Sequence, residues 1–494
     1  MLEGFFSALQ GIAFSKAILL LALGTSLGII VGAIPGLTGA MLIALTLPLT
    51  FALDYSDALV LLVAMYVGSI SGGLITATLL RMPGTPAAIM TTLDGYPMAR
   101  GGQPGRALGL GITASFVGSM ISWGFLVALA GPMAELSTAL GPFEFFSLVM
   151  MAMVLIASVA GKSLAAGVLS GLLGILASMP GITPSTGEPR LTLGMAELSG
   201  GLNLLPVLVG LFAVGQIIDD MVRIDVQIDP VPMSRKGMFM TLADWKRQAV
   251  NLVRSSLIGT WVGILPGIGA NIGSVMAYSA AKNFSKTPER FGNGSEEGIV
   301  ASEAANNATV GGALIPLVSM GIPGSVIDAI LLGALVIHGL QPGPLLFAQK
   351  PDVVYTIMAT VLLANLFMLV FMVASVGWLA KLMYVPRSWL IPTILVFCIV
   401  GSFASSNRMF DVWVMLAFGL VGYAMEKTRV PLAPFVIGFV LAPVAELNLG
   451  KGLTNSGGSY LPLVTRPISL VFVVLAVILL VWPLWRRARG REGT

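Results

Sequence analysis

The segment Gly263-Ile264-Leu265-Pro266-Gly267-Ile268-Gly269-Ala270-Asn271 breaks an apolar run with Pro and Gly, and Gly32-Ala33-Ile34-Pro35-Gly36-Leu37-Thr38-Gly39-Ala40 repeats it. Proline removes a backbone donor and clashes with the preceding turn, and glycine permits dihedrals that other residues avoid, so each Pro-Gly is expected to interrupt a helix. In hydrocarbon such a break survives only where protein or a water-filled cavity satisfies the freed backbone groups. Matched breaks in two halves of a chain point to a transporter's binding site.

The surroundings of the breaks are hydrocarbon. The chain is 56% hydrophobic and 10% charged, whereas soluble proteins carry about 25% charged residues. Ala17 to Leu53, Val353 to Ala380 and Pro467 to Trp485 carry no charge or nearly none and meet the length of about 20 residues that a spanning helix needs. The 59 glycines and 29 prolines suit packed, interrupted membrane helices, and the alternating segments of a β-barrel are not present. One cysteine, Cys398, and one histidine, His338, exclude a zinc-type cluster, and no Walker motif supports ATP hydrolysis. A net charge of +4 resides mostly in short loops, where it reports orientation and not a nucleic-acid partner. Met1 to Lys16 reads as a short interfacial helix and not as a signal peptide.

Three landmarks recur in order. Pro35-Gly36, Met82-Pro83-Gly84-Thr85 and Gly101-Gly102-Gln103-Pro104-Gly105 in the first half match Pro266-Gly267, Ile322-Pro323-Gly324-Ser325 and Gly339-Leu340-Gln341-Pro342-Gly343 in the second. Four long apolar runs follow each series, so the chain reads as an internal duplication. The expected organisation is a first transmembrane repeat over 1–218, a cytoplasmic amphipathic linker over 219–254, a second repeat over 255–466, and a further helix with a basic cytoplasmic tail over 467–494. Placing Arg486, Arg487, Arg489 and Arg491 inside, and counting back, puts Gln341 outside and Gln103 inside. Equivalent loops on opposite faces make the repeats inverted.

The repeated segments carry the small polar residues nearest the breaks. Gly36, Thr38, Gly39, Gly84, Thr85, Gly267, Gly269, Asn271, Gly324 and Ser325 form the candidate anion site, because a helix that starts after a break exposes backbone N–H groups and its positive dipole end. Thr38, Thr85, Asn271, Ser274, Asn307 and Ser325 are candidate Na⁺ ligands through their side-chain oxygens. Ser302, Glu303, Asn306 and Asn307 share roughly one helical face, and polar groups at membrane depth are costly and functional by default. Asn306 and Asn307 join the substrate candidates. For Glu303 two readings stand, a functional acid or a solvated helix start. Arg81 is the sharpest single charge, either pairing with a substrate carboxylate or snorkelling from a helix end.

Gly32 to Ala40, Pro83-Gly84-Thr85-Pro86 through Asp94-Gly95-Tyr96-Pro97, Leu265-Pro266-Gly267, Glu303 through Asn307 and Gly321 through Ser325 resemble the large membrane subunit of the tripartite tricarboxylate transporters. The resemblance implies an all-α polytopic permease of the bacterial inner membrane that works with a small four-helix membrane subunit and a periplasmic solute-binding protein delivering a carboxylate such as citrate. It further implies symport driven by an ion gradient, with no other cofactor, and inverted repeats in an elevator-type architecture. Many relatives carry Asn where this chain has Arg81. Scarce intramembrane acids make Na⁺ the preferred coupling ion over H⁺. A homo-oligomer is compatible with all of this. The rivals are an intramembrane enzyme, for which the nucleophile and base or aspartate pair are missing, and a carboxylate exporter or other permease acting without a binding protein.

Overall fold

The computed structural model describes residues 2–34, 36–159, 163–183, 186–222, 231–266, 269–382 and 387–490. In chain order the helices are α1 (Leu2–Ala13), α2 (Ala17–Gly32), α3 (Gly39–Thr46), α4 (Tyr55–Leu80), α5 (Thr91–Arg100), α6 (Pro104–Thr138), α7 (Pro142–Val159), α8 (Leu164–Ser178), α9 (Leu204–Leu208) and α10 (Gly215–Val222). They continue with α11 (Leu242–Ile264), α12 (Gly269–Phe284), α13 (Glu296–Met320), α14 (Val326–Ile337), α15 (Pro344–Gln349), α16 (Pro351–Leu382), α17 (Arg387–Ala404), α18 (Met409–Lys427), α19 (Leu432–Asn455), α20 (Pro462–Thr465) and α21 (Pro467–Gly490). The strands are β1 (Gly181–Ile182) and β2 (Pro189–Arg190), which pair antiparallel. Among the described residues, six helices are long and apolar enough to cross a membrane, or seven if the bent pair α1 and α2 is one span.

All four expected breaks interrupt helices. α2 stops at Gly32 and α3 restarts at Gly39; α11 stops at Ile264 and α12 restarts at Gly269. α4 stops at Leu80 and a 3₁₀ turn starts at Pro86; α13 stops at Met320 and α14 starts at Val326. Equal positions do equal work in the two halves. α2 lies against α4 so closely that a Cβ on Gly28 would meet the Met65 carbonyl and one on Gly32 the Ser69 carbonyl. α11 lies on α13 in the same register, Gly259 against Ala305 and Gly263 against Thr309. Backbones can approach this far only where side chains are absent, which is how membrane helices gain packing without a hydrophobic driving force.

The halves also interlock across the chain. α6 packs along α13, and α16 packs along α4. Arg106 of α6 forks onto Asp244 of α11 at 2.8 and 2.6 Å and reaches Glu296 of α13 at 2.9 Å, while Arg247 also pairs with Glu296. Within 219–254, read above as an amphipathic linker, Asp219 to Val222 end α10 and Leu242 onward is α11, which runs unbroken to Ile264. Residues 231–241 are strapped over α4 and α6: Val231 N–H donates to the Leu79 carbonyl (3.0 Å), and buried Met238 lies on Gly109.

Asp94, in the Asp-Gly-Tyr-Pro stretch of α5, is a structural anchor. Its Oδ1 accepts N–H bonds from Gly292 (2.8 Å), Gly294 (3.0 Å) and Ser295 (2.8 Å), fixing the turn that starts α13. An Asp94→Ala chain loses an ionic acceptor and leaves three donors to find others. It is expected to lose about 2–4 kcal/mol of stability, measured as a lower unfolding temperature of the purified protein, with Asp94→Asn losing less.

Candidate functional site

The residues after the four breaks share one cavity of about 580 Å³. Thr38, Gly39 and Ala40 line it from the first break, and Thr85, Pro86 and Ala87 from the second. Gly269, Ala270, Asn271 and Ile272 line it from the third, and Ser325, Val326 and Ile327 from the fourth. Each of these sets is the start of a helix or 3₁₀ turn. The first N–H groups of a helix have no intrahelical acceptor, and the summed peptide dipoles place about half a positive charge there. Three helix starts and one 3₁₀ start therefore surround one space, and helix starts of this kind suit an anion.

Two hydroxyls set the geometry of these ends. Thr38 is the N-cap of α3 and accepts from Met41 N–H at 3.2 Å; Ser325 is the N-cap of α14 and accepts from Asp328 N–H at 3.3 Å. The Tyr66 hydroxyl on α4 stands 3.4 Å from Ser325 Oγ and 3.5 Å from Asp328 Oδ2, and Tyr66 also lines the cavity. The Thr85 hydroxyl is buried and has no hydrogen-bond partner among the described residues.

The glycines and asparagines named from the sequence divide by place. Thr38, Gly39, Thr85, Gly269, Asn271 and Ser325 line the cavity. Gly84 and Gly324 stand behind it, against the preceding helices: a Cβ on Gly84 would meet the Gly32 carbonyl and Thr76 Oγ1, and one on Gly324 would lie 2.8 Å from the Ala313 Cβ and 2.9 Å from the Gly263 carbonyl. Gly36 has φ 92° and lies beside Asp220 of α10. Ser274, on α12, donates to the Ser302 carbonyl at 3.2 Å, so it ties α12 to α13. Asn306 and Asn307 are buried in α13. Gly267 lies outside the described residues.

Arg81 is not among the lining residues. It caps α4 in the left-handed region, φ 58°, with its guanidinium carbon 5.9 Å from the centre of the Tyr96 ring. The corresponding cap of α13 is Gly321, φ 70°, whose N–H bonds the Leu317 carbonyl. Gly and Asn occupy this conformation at little cost, and a longer side chain pays about 1–2 kcal/mol. An Asn at this position would therefore suit the backbone better than Arg81 does. Arg81→Asn is expected to raise stability by about 1 kcal/mol and to leave transport affinity unchanged, read from unfolding temperature and uptake KM.

Other lining residues carried no signal at the breaks. A π-helical turn, Val209–Val214, joins α9 to α10 and presents Leu211 and Phe212, with Gln216 one turn on. Such turns widen a helix and recur at functional sites. The end of α18, the turn that follows and the start of α19 add Glu426, Arg429 and Val430 to Ala433. Arg429, held at φ 59°, is the one cationic side chain in the described lining. The sequence showed this loop only as a charged turn that reports orientation. His338 ends α14 with its ring 3.1 Å from Thr50 Oγ1, and Cys398 is buried in α17.

Glu303 is fully buried, two turns inside α13, which excludes the solvated helix start. Its carboxyl accepts from Thr91 Oγ1 of α5 at 2.5 Å and Ser115 Oγ of α6 at 3.2 Å.

A family model described as the tripartite tricarboxylate transporter TctA family matches residues 18–437. An uncharacterized 52.8 kDa protein from the TAR-I ttuC' 3' region of Agrobacterium vitis is 32% identical over 480 residues, covering 97% of this chain and 94% of that protein. A second uncharacterized protein from that organism's TAR-II ttuC' 3' region is 34% identical over 227 residues, 44% of this chain and 94% of that protein. No solved structure matches the chain. With apolar spanning helices, matched breaks and a family match along most of its length, the chain belongs to the tripartite tricarboxylate transporter TctA family, a family of transporters and not of enzymes, and is a multi-pass membrane protein of the large-subunit type.

Proposed function

We propose that this subunit imports an organic di- or tricarboxylate, citrate being the reference compound, through the cavity at which the four breaks meet. The supporting observation is that convergence: four helix or 3₁₀ starts, two of them capped by Thr38 and Ser325, surround a space of about 580 Å³, and donors of that kind hold carboxylates without a buried cation. Arg429 supplies one charge at the rim, where a bidentate contact fixes a carboxylate's orientation.

The subunit works in the inner membrane with a small four-helix membrane subunit and a periplasmic solute-binding protein, and an Na⁺ or H⁺ gradient drives uptake. The matched registers of α2 on α4 and α11 on α13 support two repeats, and the charge distribution of the loops supports their inversion. In the corresponding elevator motion, the block holding the broken helices carries the cavity past the remaining helices.

The test is uptake of labelled citrate and smaller dicarboxylates into cells making this chain with both partners, with Na⁺ or a pH gradient imposed or removed, and with the binding protein omitted. Accumulation that needs the binding protein and one of the two gradients is the expected result. Accumulation that persists without the binding protein contradicts the tripartite reading, and failure of every carboxylate contradicts the substrate class.

A further inference from the structure

α13 carries a polar cluster for which the fold itself has no need. Besides the two hydroxyls on Glu303, Ser115 accepts from Asn307 Nδ2 at 2.8 Å, Asn307 Oδ1 accepts from Ser71 Oγ of α4 at 2.6 Å, and Thr91 Oγ1 lies 3.1 Å from Ser302 Oγ. Asn306 faces Glu303, and among the described residues neither its amide nitrogen nor its oxygen makes a hydrogen bond of normal length, although both are buried. The registers that match Gly72 to Gly312 and Gly84 to Gly324 place Ser302, Glu303, Asn306 and Asn307 at the positions of Leu62, Val63, Tyr66 and Val67. At three of these four positions α4 places Leu, Val and Val where α13 places Ser, Glu and Asn; the fourth sets Tyr66 against Asn306.

The charges around Glu303 are all engaged elsewhere. On α6 and α11, Arg106 and Arg247 hold Asp244 and Glu296, and Arg254 donates to Asn251 Oδ1 at 2.7 Å beneath the Phe284 ring. On α5 and α12, Asp94 and Tyr278 lie side by side against Gly298, and Asp94 holds the three N–H groups of the turn before α13. On α4, Tyr66 faces Ser325 and Asp328, and Asp57 pairs with Lys16 at 2.8 Å. No Lys, Arg or His pairs with Glu303 among the described residues. A carboxylate stripped of water and given no counter-charge is unstable in a medium of low dielectric, so it takes up a cation. The Glu303 oxygens accept from Thr91 and Ser115, the Ser115 hydroxyl accepts from Asn307 Nδ2, and the Asn307 oxygen accepts from Ser71, so each is already committed to a hydrogen bond, an arrangement that suits a proton better than an oxygen cage for a metal ion.

The cluster also touches two of the cavity's walls. Thr91 follows the 3₁₀ turn whose Pro86 and Ala87 line the cavity, and Ser274, two residues beyond lining residue Ile272, holds the Ser302 carbonyl. We propose that Glu303 is the residue that takes up and releases the coupling proton in each transport cycle. The carboxylate and one H⁺ from the loading side give the neutral acid, and release on the other side restores the carboxylate, so one positive charge travels with each anion. A protonated carboxyl donates where the carboxylate only accepted, so Thr91 or Ser115 must turn its own hydroxyl. Through Thr91 that change reaches the segment at the second break. The inference rests on the proposed import function and deepens it by naming the coupling ion.

Two measurements separate its failure from failure of that function. Infrared spectroscopy of the purified chain is expected to show a buried protonated carboxyl band that Glu303→Gln removes, a readout that needs no substrate. In the reconstituted three-component system, Glu303→Gln is expected to lose accumulation driven by a pH gradient while retaining exchange of external for internal substrate, because the amide imitates the neutral acid. Accumulation by Glu303→Gln with unchanged pH dependence overturns the proposal, as does wild-type uptake that follows Na⁺ alone. Should Glu303→Gln not fold, Thr91→Val removes one bond to the carboxyl and is expected to move the pH profile of uptake by about half a unit; an unmoved profile overturns the proposal too. Failure of wild-type uptake with the infrared band present and lost in the Gln variant contradicts the carboxylate reading and leaves Glu303 a proton site.

Discussion

Gly84→Val is expected to reduce uptake to background while Gly124→Ala leaves it unchanged. Both positions are glycine in an apolar setting, and they differ in what a side chain would meet. At Gly84 a Cβ runs into the Gly32 carbonyl and Thr76 Oγ1, and it also stands 2.9 Å from the Gly73 Cα; at Gly124 nothing lies within 4 Å. Backbone cannot yield as a flexible side chain does, so the second break must move away from α2. Overpacking of this kind costs about 1–3 kcal/mol, and the same displacement carries Thr85 out of the cavity wall. Gly324→Val, which meets Ala313 and the Gly263 carbonyl, is expected to behave alike because the second half repeats the packing. Labelled-substrate uptake, normalised to the amount of protein in the membrane, checks both.

Arg429→Gln is expected to raise the KM for a dicarboxylate by about 10–100-fold, the equivalent of one charge-assisted contact of about 1.5–3 kcal/mol. The other donors around the cavity are backbone N–H groups and neutral side chains such as Thr85, Asn271 and Gln216, which makes this guanidinium the one cationic anion contact of the described lining that a single change deletes. It lines the cavity from the turn between α18 and α19, at φ 59°. Arg429→Lys keeps the charge, loses the planar fork, and is expected to fall between the two. Equal KM values for all three proteins contradict a substrate contact. Arg81→Asn serves as the control cation, since Arg81 caps a helix outside the cavity lining.

Much of this was legible from residue order. Pro35, Pro83, Pro266 and Pro323 each mark an interruption because proline acts locally, within one turn of helix. Thr38 and Ser325 were nameable for the same reason, since capping is a contact with the next turn. The convergence of the four breaks was not legible, because it depends on how α2, α4, α11 and α13 pack over hundreds of residues. Neither were Tyr66, Gln216 and Arg429. Tyr66 lies in a continuous apolar run, Gln216 follows a π-helical turn with no sequence mark of its own, and Arg429 was indistinguishable from an interfacial loop charge. Glu303 stood between two readings because spacing gives the face of a helix and not its depth. The preference for Na⁺ rested on the scarcity of acids inside the membrane, and Glu303 and Asp328 are two buried acids on which an H⁺ reading can draw.

The most direct test of the account is substrate protection at the cavity wall. In a chain with Cys398→Ser, a single cysteine placed at Asn271, in the first turn of α12, is exposed to a thiol reagent small enough to enter the cavity. The account predicts that a transported di- or tricarboxylate slows labelling at this position in a saturable way, at concentrations near its KM, and that a neutral analogue of the same size does not. Labelling that proceeds at one rate with or without every transported carboxylate would contradict the claim that the four breaks enclose the substrate.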